Sequence, residues 1–341
     1  MIIDDDVKLD FCDVMFVPKY SELTSRKDVN LNVRYKTLHS NQRIEGVPII
    51  SANMSSVSTF SMALALSANN MFCALHKHYT VNQLVDFFDN LTENEHNHIF
   101  YTLGLRDYNK FLNFIKAWGK APKLICCDVA HGDLGIFHDF VRSIRELSKY
   151  SVIMAGNVVT PEGCKRIIDS GADIVKLGVG SGSGCKTRII AASGYPQLSA
   201  IMECESVVHD NGALLCSDGG CNTPGDFSKA FGAGADFVMA GGIFAGHDEC
   251  EGKIIDKKME FYGMSSEYAM DKYNGGMDHY RASEGRYTMV DYKGKVKTTI
   301  NMIKGGIAST GSYINALNLS EFHDKAHFVK ANRMYNDVFV K

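Results

Sequence analysis

Runs rich in Val, Ile, Leu and Phe recur along the chain, and between them lie stretches whose apolar residues return every three to four positions. The apolar runs predict β-strands at 47–53, 71–76, 98–103, 123–128, 152–156, 174–178, 213–217 and 237–241. The intervening stretches predict helices at 81–91, 108–119, 135–147, 161–170, 197–211 and 224–232, because a helix packed on a sheet needs one apolar face. Two helix starts are marked. Thr160-Pro161-Glu162 and Thr223-Pro224-Gly225-Asp226 each supply a capping hydroxyl, then Pro, then an acid near the positive helix end. Strands without a polar face belong in a parallel sheet covered by helices. Eight strand–helix units predict an α/β fold closed as a (β/α)8 TIM barrel, with an open doubly wound sheet as the alternative.

The pattern breaks after the eighth strand. Residues 245–297 are polar, carry Gly and Tyr, and show no clean period, whereas helical spacing returns at 299–317. A stretch that long inside a compact domain is usually functional, so it is read as a flap. With residues 1–45 as an N-terminal extension, residues 1–341 make one domain. That length suits one barrel of ~250 residues plus additions.

Composition removes several classes of function. The chain is 45% apolar and 22% charged, ordinary for a globular protein. A net charge of −3 offers nothing to nucleic acid or an anionic membrane. No apolar run reaches the ~18 residues of a membrane span, and the acidic start MIIDDDVKLD is unlike a signal peptide. Ten cysteines occur without a C-x-x-C pair, which reads as reduced thiols in a cytoplasmic protein.

Barrel enzymes work at the C-terminal ends of their strands. There the seventh strand ends in Ser217-Asp218-Gly219-Gly220 and the eighth in Gly241-Gly242. Backbone N–H groups of such glycines can hold a phosphate without a cation, and the loops after strands seven and eight are where barrels hold one. Asp218 would repel a phosphate, so it is assigned to ribose hydroxyls. Lys77 after the second strand and Asp128 at the end of the fourth also face the ligand side. The sixth strand enters Gly180-Ser181-Gly182-Ser183-Gly184-Cys185-Lys186-Thr187-Arg188. Neighbouring cations and backbone N–H groups lower a thiol's pKa below ~8.5. Cys185 is thus a candidate nucleophile and Thr187 a proton relay; the bland alternative is an unreactive cysteine ending a glycine turn.

These residues, with the blocks Val47-Pro48-Ile49-Ile50, His76-Lys77-His78-Tyr79, Ala155-Gly156-Asn157-Val158-Val159, Gly194-Tyr195-Pro196-Gln197-Leu198-Ser199 and Tyr280-Arg281-Ala282-Ser283-Glu284-Gly285, resemble the family of IMP dehydrogenases and GMP reductases. The resemblance runs from Asp6 to Tyr313 and is closer to the reductase branch. The dehydrogenases' regulatory insertion is missing, Glu284 stands where they carry Gln, and Arg286-Tyr287 follows Glu284 instead of preceding it. The resemblance implies a homotetrameric barrel that converts GMP to IMP and ammonia with NADPH. Cys185 would attack carbon 2 of the purine, and Thr187 and Glu284 would protonate the departing amine. The phosphate would meet Ser183, Gly219, Gly220, Gly241 and Gly242, and the ribose Asp218. Gly263, Met264, Ser265, Arg281, Ala282, Ser283, Glu284 and Gly285 would line the rest of the nucleotide pocket.

The same resemblance assigns NADPH to Lys77, Asp128, Val129, Ala130, Val179 and Gly180. Ser25, Arg26, Ser309, Thr310, Gly311 and Ser312 would complete its adenosine end across a subunit boundary. A monovalent cation, potassium, is implied on the carbonyls of Gly180, Gly182 and Cys185 and at the Arg188 region. Departures from the family pattern include, in the loop, Ser181 for Pro, Gly184 for Val or Ile and Lys186 for Thr, and elsewhere Ser55-Ser56 where an Asp-Thr pair is expected after Met54 and His131 for the Asn usual in reductases, as in the dehydrogenase branch. Losing Pro and gaining Gly predicts a more mobile free loop. Two other readings stay open: an IMP dehydrogenase without a regulatory domain, and a catalytically weak purine-nucleotide-binding paralog.

Overall fold

The eight apolar runs form β1 (Ile49–Ser51), β2 (Phe72–Ala74), β3 (Ile99–Leu103), β4 (Leu124–Asp128), β5 (Val152–Val158), β6 (Ile174–Leu177), β7 (Leu214–Asp218) and β8 (Phe237–Ala240). The structure is a computed structural model and describes residues 1–276 and 282–332. Each strand pairs in parallel with its neighbour in sequence, and β8 returns to β1 through Val238↔Ile49, Met239↔Ile50 and Ala240↔Ser51, closing the barrel. Around it lie α1 (Phe60–Ser67), α2 (Val81–Asp89), α3 (Tyr108–Trp118), α4 (Gly135–Leu147), α5 (Pro161–Asp169), α6 (Gln197–Asp210), α7 (Pro224–Gly232) and α8 (Lys297–Ile314). The predicted helices agree to within three residues at each end. Helix α1 is an addition: its sequence FSMALALS is apolar nearly all round and shows no one-sided stripe.

Alternation along the strands builds two separate cores. Leu124 and Cys126, Val152 and Met154, Ile174, Leu214 and Cys216, and Phe237 and Met239 fill the barrel interior with Ile50, Phe72 and Phe100. Ile125, Cys127, Ile153, Val175, Leu215 and Val238 face the helices instead. Each fully buried side chain of this kind contributes roughly 1.5–3 kcal/mol, so the interior is a packed core and not a pore. The same alternation, carried one step further, turns Asp128, Lys176 and Asp218 inward at the top.

The N-terminal residues are built into this frame. A hairpin of Val33–Lys36 and Arg43–Gly46 closes the lower end of the barrel, with Ile44 and Tyr35 joining the interior core. Its turn is fixed by Asp173, a buried carboxylate that accepts from the His39 N–H (2.7 Å), the Ser40 N–H (3.0 Å) and the Ile153 N–H (3.0 Å) and pairs with Arg145 (2.7 Å). Further up, Leu9 and Ser199 exchange two hydrogen bonds, and the Phe11 ring lies under Gly220.

Residues 245–297 are more regular than their sequence suggested. Ile254–Ile255, Lys258–Tyr262 and Tyr287–Asp291 form a three-stranded antiparallel sheet, and the helix Glu267–Asn274 lies between its second and third strands. The central strand is buried on both faces from Met259 to Tyr262. It therefore lacks the alternation by which a half-exposed strand is read.

The closing hairpin gives the first test. Ile44 is 2% exposed, so Ile44→Ala should lower the unfolding free energy by about 2–5 kcal/mol. A urea titration should show a lower midpoint with an unchanged slope. Leu64→Ala, on the exposed side of α1, should shift the midpoint far less.

Candidate active site

The segment after β6 crosses the C-terminal mouth of the barrel and is strapped at both sides. The Ser181 hydroxyl donates to the Asp218 carbonyl (3.0 Å), and the Cys185 N–H donates to the Gly182 carbonyl (2.9 Å). Toward the flap, the Lys186 N–H donates to the Glu284 carbonyl (2.6 Å) and the Arg286 N–H to the Gly184 carbonyl (2.8 Å). Cys185 and Gly285 thereby form an antiparallel bridge. Gly184 does not need its glycine conformation: a Cβ there would meet the Phe261 ring at an ordinary 3.5 Å. The loop's order comes from the flap, not from stiff residues of its own.

Across this bridge three side chains form one proton path. The Cys185 thiol donates to Thr187 Oγ1 (3.1 Å), which donates to Glu284 Oε2 (2.6 Å). A thiol joined through a hydroxyl to a carboxylate can hand over its proton and later receive one back. The Thr187 N–H also points to Cys185 Sγ (3.5 Å). Arg188, expected to act on the thiol, instead sends its guanidinium to Asp10 (2.7 Å) and the Tyr195 carbonyl (2.8 Å). The N-terminal segment is the reason: Asp10 also caps the start of α6 through the Gln197 N–H (2.6 Å).

These groups lie on the wall of a cavity of about 830 Å³, toward the upper end of the ~300–1,000 Å³ typical of small-molecule sites. One arc of its wall comes from the ends of β7 and β8, with Asp218, Gly219, Gly220, Gly241 and Gly242. Ser183 reaches the same arc because position 242 has no side chain; a Cβ there would lie 2.3 Å from Ser183 Oγ. Across the barrel, the ends of β2, β3 and β4 contribute Lys77, Gly104, Asp128, Val129 and Ala130. Gly263, Met264, Ser265, Ala282 and Glu284 come from the flap, and Val179, Gly180 and Gly182 from the loop after β6.

Other expected residues lie elsewhere. Ser283 braces the flap, accepting from the Glu267 N–H (3.2 Å) and donating to the Gly285 carbonyl (3.3 Å), and Gly285 is packed against Ser266. Neither lines the cavity. Ser25 and Arg26 adjoin Ser309, Thr310, Gly311 and Ser312: the 3-10 turn Arg26–Asp28 packs on α8, and Val29 covers Gly311. None of these six lines the cavity of its own chain. Arg281 lies outside the described residues.

Sequence reading missed Lys176. It is 2% exposed and its ammonium pairs with Asp128 Oδ1 (2.8 Å) and with Asp218 Oδ2. Asn157 Nδ2 donates to the same Asp218 oxygen (2.9 Å) and to the Gly178 carbonyl (2.6 Å). Gly156 makes the approach possible, since a Cβ there would lie 2.7 Å from Lys176 Cβ. Burial opposes the charge on Lys176, but the two carboxylates outweigh it and hold its pKa well above the ordinary value. Burial likewise works against the Asp128 carboxylate, yet Lys176, aided by Asn53, keeps its pKa below the usual range. The available signal was register: Lys176 is two residues after Ile174, on the inward face of a strand read as purely apolar.

The flap is docked by a ring: Tyr273 stacks on His78 at 3.8 Å, while His76 stacks on Tyr79 of its own segment at 4.0 Å. Lys272 pairs with Glu251 (3.2 Å) and donates to the Tyr262 hydroxyl (3.3 Å), which also accepts from Ser55 (3.1 Å). Burial, helped by nearby positive charges, depresses the pKa of His76 to about 3 and of His78 to about 4.

A depressed histidine pKa makes the docked state bind fewer protons than an open or unfolded one below pH ~6.5. Docking should be strongest above that pH and weaken as pH falls toward 4, by at most about 1.4 kcal/mol per pH unit for His78, the histidine in ring contact with the flap. Hydrogen exchange over residues 258–274 should accelerate between pH 7.5 and 5.5, relative to the exchange expected for an unstructured chain. His78→Gln should flatten that dependence.

A family profile described as IMP dehydrogenase / GMP reductase domain matches residues 8–335. The GMP reductase of Shewanella halifaxensis is 44% identical over the whole of both chains. GMP reductase 1 of Rattus norvegicus is 46% identical over 99% of each chain. The GMP reductase of Onchocerca volvulus is 44% identical over 99% of this chain and 94% of its own. With the closed barrel and the cavity at its mouth, these matches establish that the chain belongs to the IMP dehydrogenase / GMP reductase family of oxidoreductases.

Proposed function

We propose that the protein is an NADPH-dependent reductase that converts GMP to IMP and ammonia through a covalent bond to Cys185. The observation that carries this reading is the continuous Cys185–Thr187–Glu284 proton path on the cavity wall. Backbone N–H groups of Gly219, Gly220, Gly241 and Gly242, with the Ser183 hydroxyl, would hold the nucleotide phosphate. Asp218 keeps Oδ1 for the ribose, because Oδ2 is taken by Lys176 and Asn157. Gly263, Met264, Ser265 and Ala282 would border the base, with Arg281 assigned by resemblance.

The thiol proton moves through Thr187 to Glu284 as Cys185 Sγ bonds to carbon 2 of the purine. The same proton returns through Thr187 to the exocyclic nitrogen, the carbon–nitrogen bond breaks and ammonia leaves, so that a thioimidate remains. Protonation is what makes an amine a viable leaving group, and covalent capture divides one difficult step in two. The closed flap keeps water from this intermediate.

Residues suited to a nicotinamide cofactor lie on the opposite arc. Among the described residues Asn157 Oδ1 is buried without a hydrogen-bond partner on the cavity wall, an acceptor matched to a carboxamide N–H. Lys77, Asp128, Val129, Ala130, Val179 and Gly180 would hold the rest of that half of the cofactor, which supplies a hydride when bound. Ser25, Arg26 and Ser309–Ser312 would receive the adenosine end from a neighbouring subunit of a homotetramer, given their distance from their own cavity. For the potassium ion expected on the loop carbonyls no step is derived: the Gly182 carbonyl already accepts from Cys185, and Arg188 is engaged with Asp10. A dehydrogenase would need a base for water beside the thiol. Tyr287 does not provide one, since its hydroxyl donates to Glu260 (3.0 Å) on the flap sheet. The role proposed is purine-nucleotide salvage in the cytoplasm.

Cys185→Ala should abolish GMP-dependent NADPH oxidation while GMP affinity, measured by calorimetry, stays within a few-fold of the parent, because loss of a nucleophile appears in the maximal rate. NADPH consumption at near the parental rate would remove the assignment. Glu284→Gln should reduce kcat by roughly 10²–10⁴-fold, the range for general acid–base groups, with the deficit in ammonia release under single-turnover conditions.

A further inference from the structure

The two arcs of the cavity share one cation. Asp128, 26% exposed at the end of β4, belongs to the cofactor arc, and Asp218, 18% exposed at the end of β7, belongs to the nucleotide arc. Lys176 pairs with both from the floor of the cavity. We propose that Lys176 is a positioning residue through which the nucleotide and cofactor subsites are coupled, so that each ligand binds more tightly when the other is present. The inference rests on the proposed function and adds a regulation of that site.

The physical case is geometric. An ammonium has three donors, and two of them are committed to carboxylates that would otherwise repel each other. The layer beneath is apolar, formed by Cys126, Met154 and Cys216, so the ammonium cannot leave its partners for water. Gly156 lets the neighbouring strand pack close against the base of the lysine, since a Cβ there would lie 2.7 Å from Lys176 Cβ. Charge interactions strengthen as water is excluded. A ribose hydroxyl donating to Asp218 therefore orders that carboxylate, through it the ammonium, and through the ammonium Asp128. The second ligand then meets a carboxylate whose ordering has already been achieved, which is positive cooperativity without a large structural change.

Calorimetry with GMP, alone and with saturating NADP+, tests this with Cys185→Ala as the parent protein, because neither covalent capture of GMP nor hydride transfer can then occur. The parent should bind GMP at least about five-fold more tightly with NADP+ present, the lower end of typical coupling. Lys176→Met, nearly isosteric but uncharged, should bring that ratio close to one, and Lys176→Arg should restore part of it. A second measurement needs no cofactor. Asp128→Asn should change GMP affinity several-fold although Asp128 is on the far arc, and should change it no further in a K176M background. If K176M does not fold, the same cycle in a K176R background decides, with the Asp128 effect retained. The inference is overturned if K176M lowers both affinities but keeps the parental ratio, or if Asp128→Asn leaves GMP affinity unaltered. A parent that binds neither ligand would overturn the proposed function as well; a parent that binds both without coupling would overturn only this inference.

Discussion

The charge cluster of Lys176 with Asp128 and Asp218 marks where the packed barrel stops and the cavity begins. Below it the inward residues are apolar, and above it they are the walls of the site. Replacing a buried ion pair by well-packed apolar residues is often neutral or stabilising, whereas removing one partner costs roughly 3–5 kcal/mol. Stability alone is thus a weak reason for such a cluster. What it provides is placement: three strands are referred to one cation, and the carboxylates that border both arcs of the cavity cannot move independently of it.

A second dependence follows from how the reactive groups are distributed. Cys185 and Thr187 belong to the loop after β6, and Glu284 to the flap. Neither segment holds the proton path alone. Backbone hydrogen bonds from Lys186 to Glu284 and from Arg286 to Gly184 bring the halves together. An open flap would separate thiol from carboxylate, so the hydrogen-bonded chain from Cys185 to Glu284 is complete only with the flap closed. The glycine-rich loop fits this arrangement: a segment held by its partner has little need of internal stiffness. The docking rings, Tyr273 on His78, secure the flap on the far side of the cavity from the bridge at Cys185.

The N-terminal extension serves both ends of the barrel. Its hairpin closes the bottom, where Ile44 completes the interior core. Its first turn braces the top: Asp10 holds Arg188 and the start of α6, and Phe11 supports Gly220 on the arc formed by the ends of β7 and β8. Proximity in the chain places Arg188 near the thiol, three residues away, but in space its partner is a carboxylate from the extension.

Much of the barrel was legible in the sequence because strands and helices carry their own periods. All eight strands, most of the surrounding helices, the Gly-Gly turns after β7 and β8 and the thiol loop follow from local spacing and residue chemistry. Helix α1 and the central flap strand escaped that reading: the exposed side of α1 is itself apolar, as at Leu64, and the strand is buried on both faces, so neither carries an amphipathic signature. Lys176 escaped for a different reason. Alternation shows that it points inward, but only closure of the barrel decides that an inward lysine on β6 meets inward carboxylates on β4 and β7. The same holds for Glu284 and Thr187, 97 residues apart: local sequence determines the groups each segment carries, and long-range packing alone determines which of them touch.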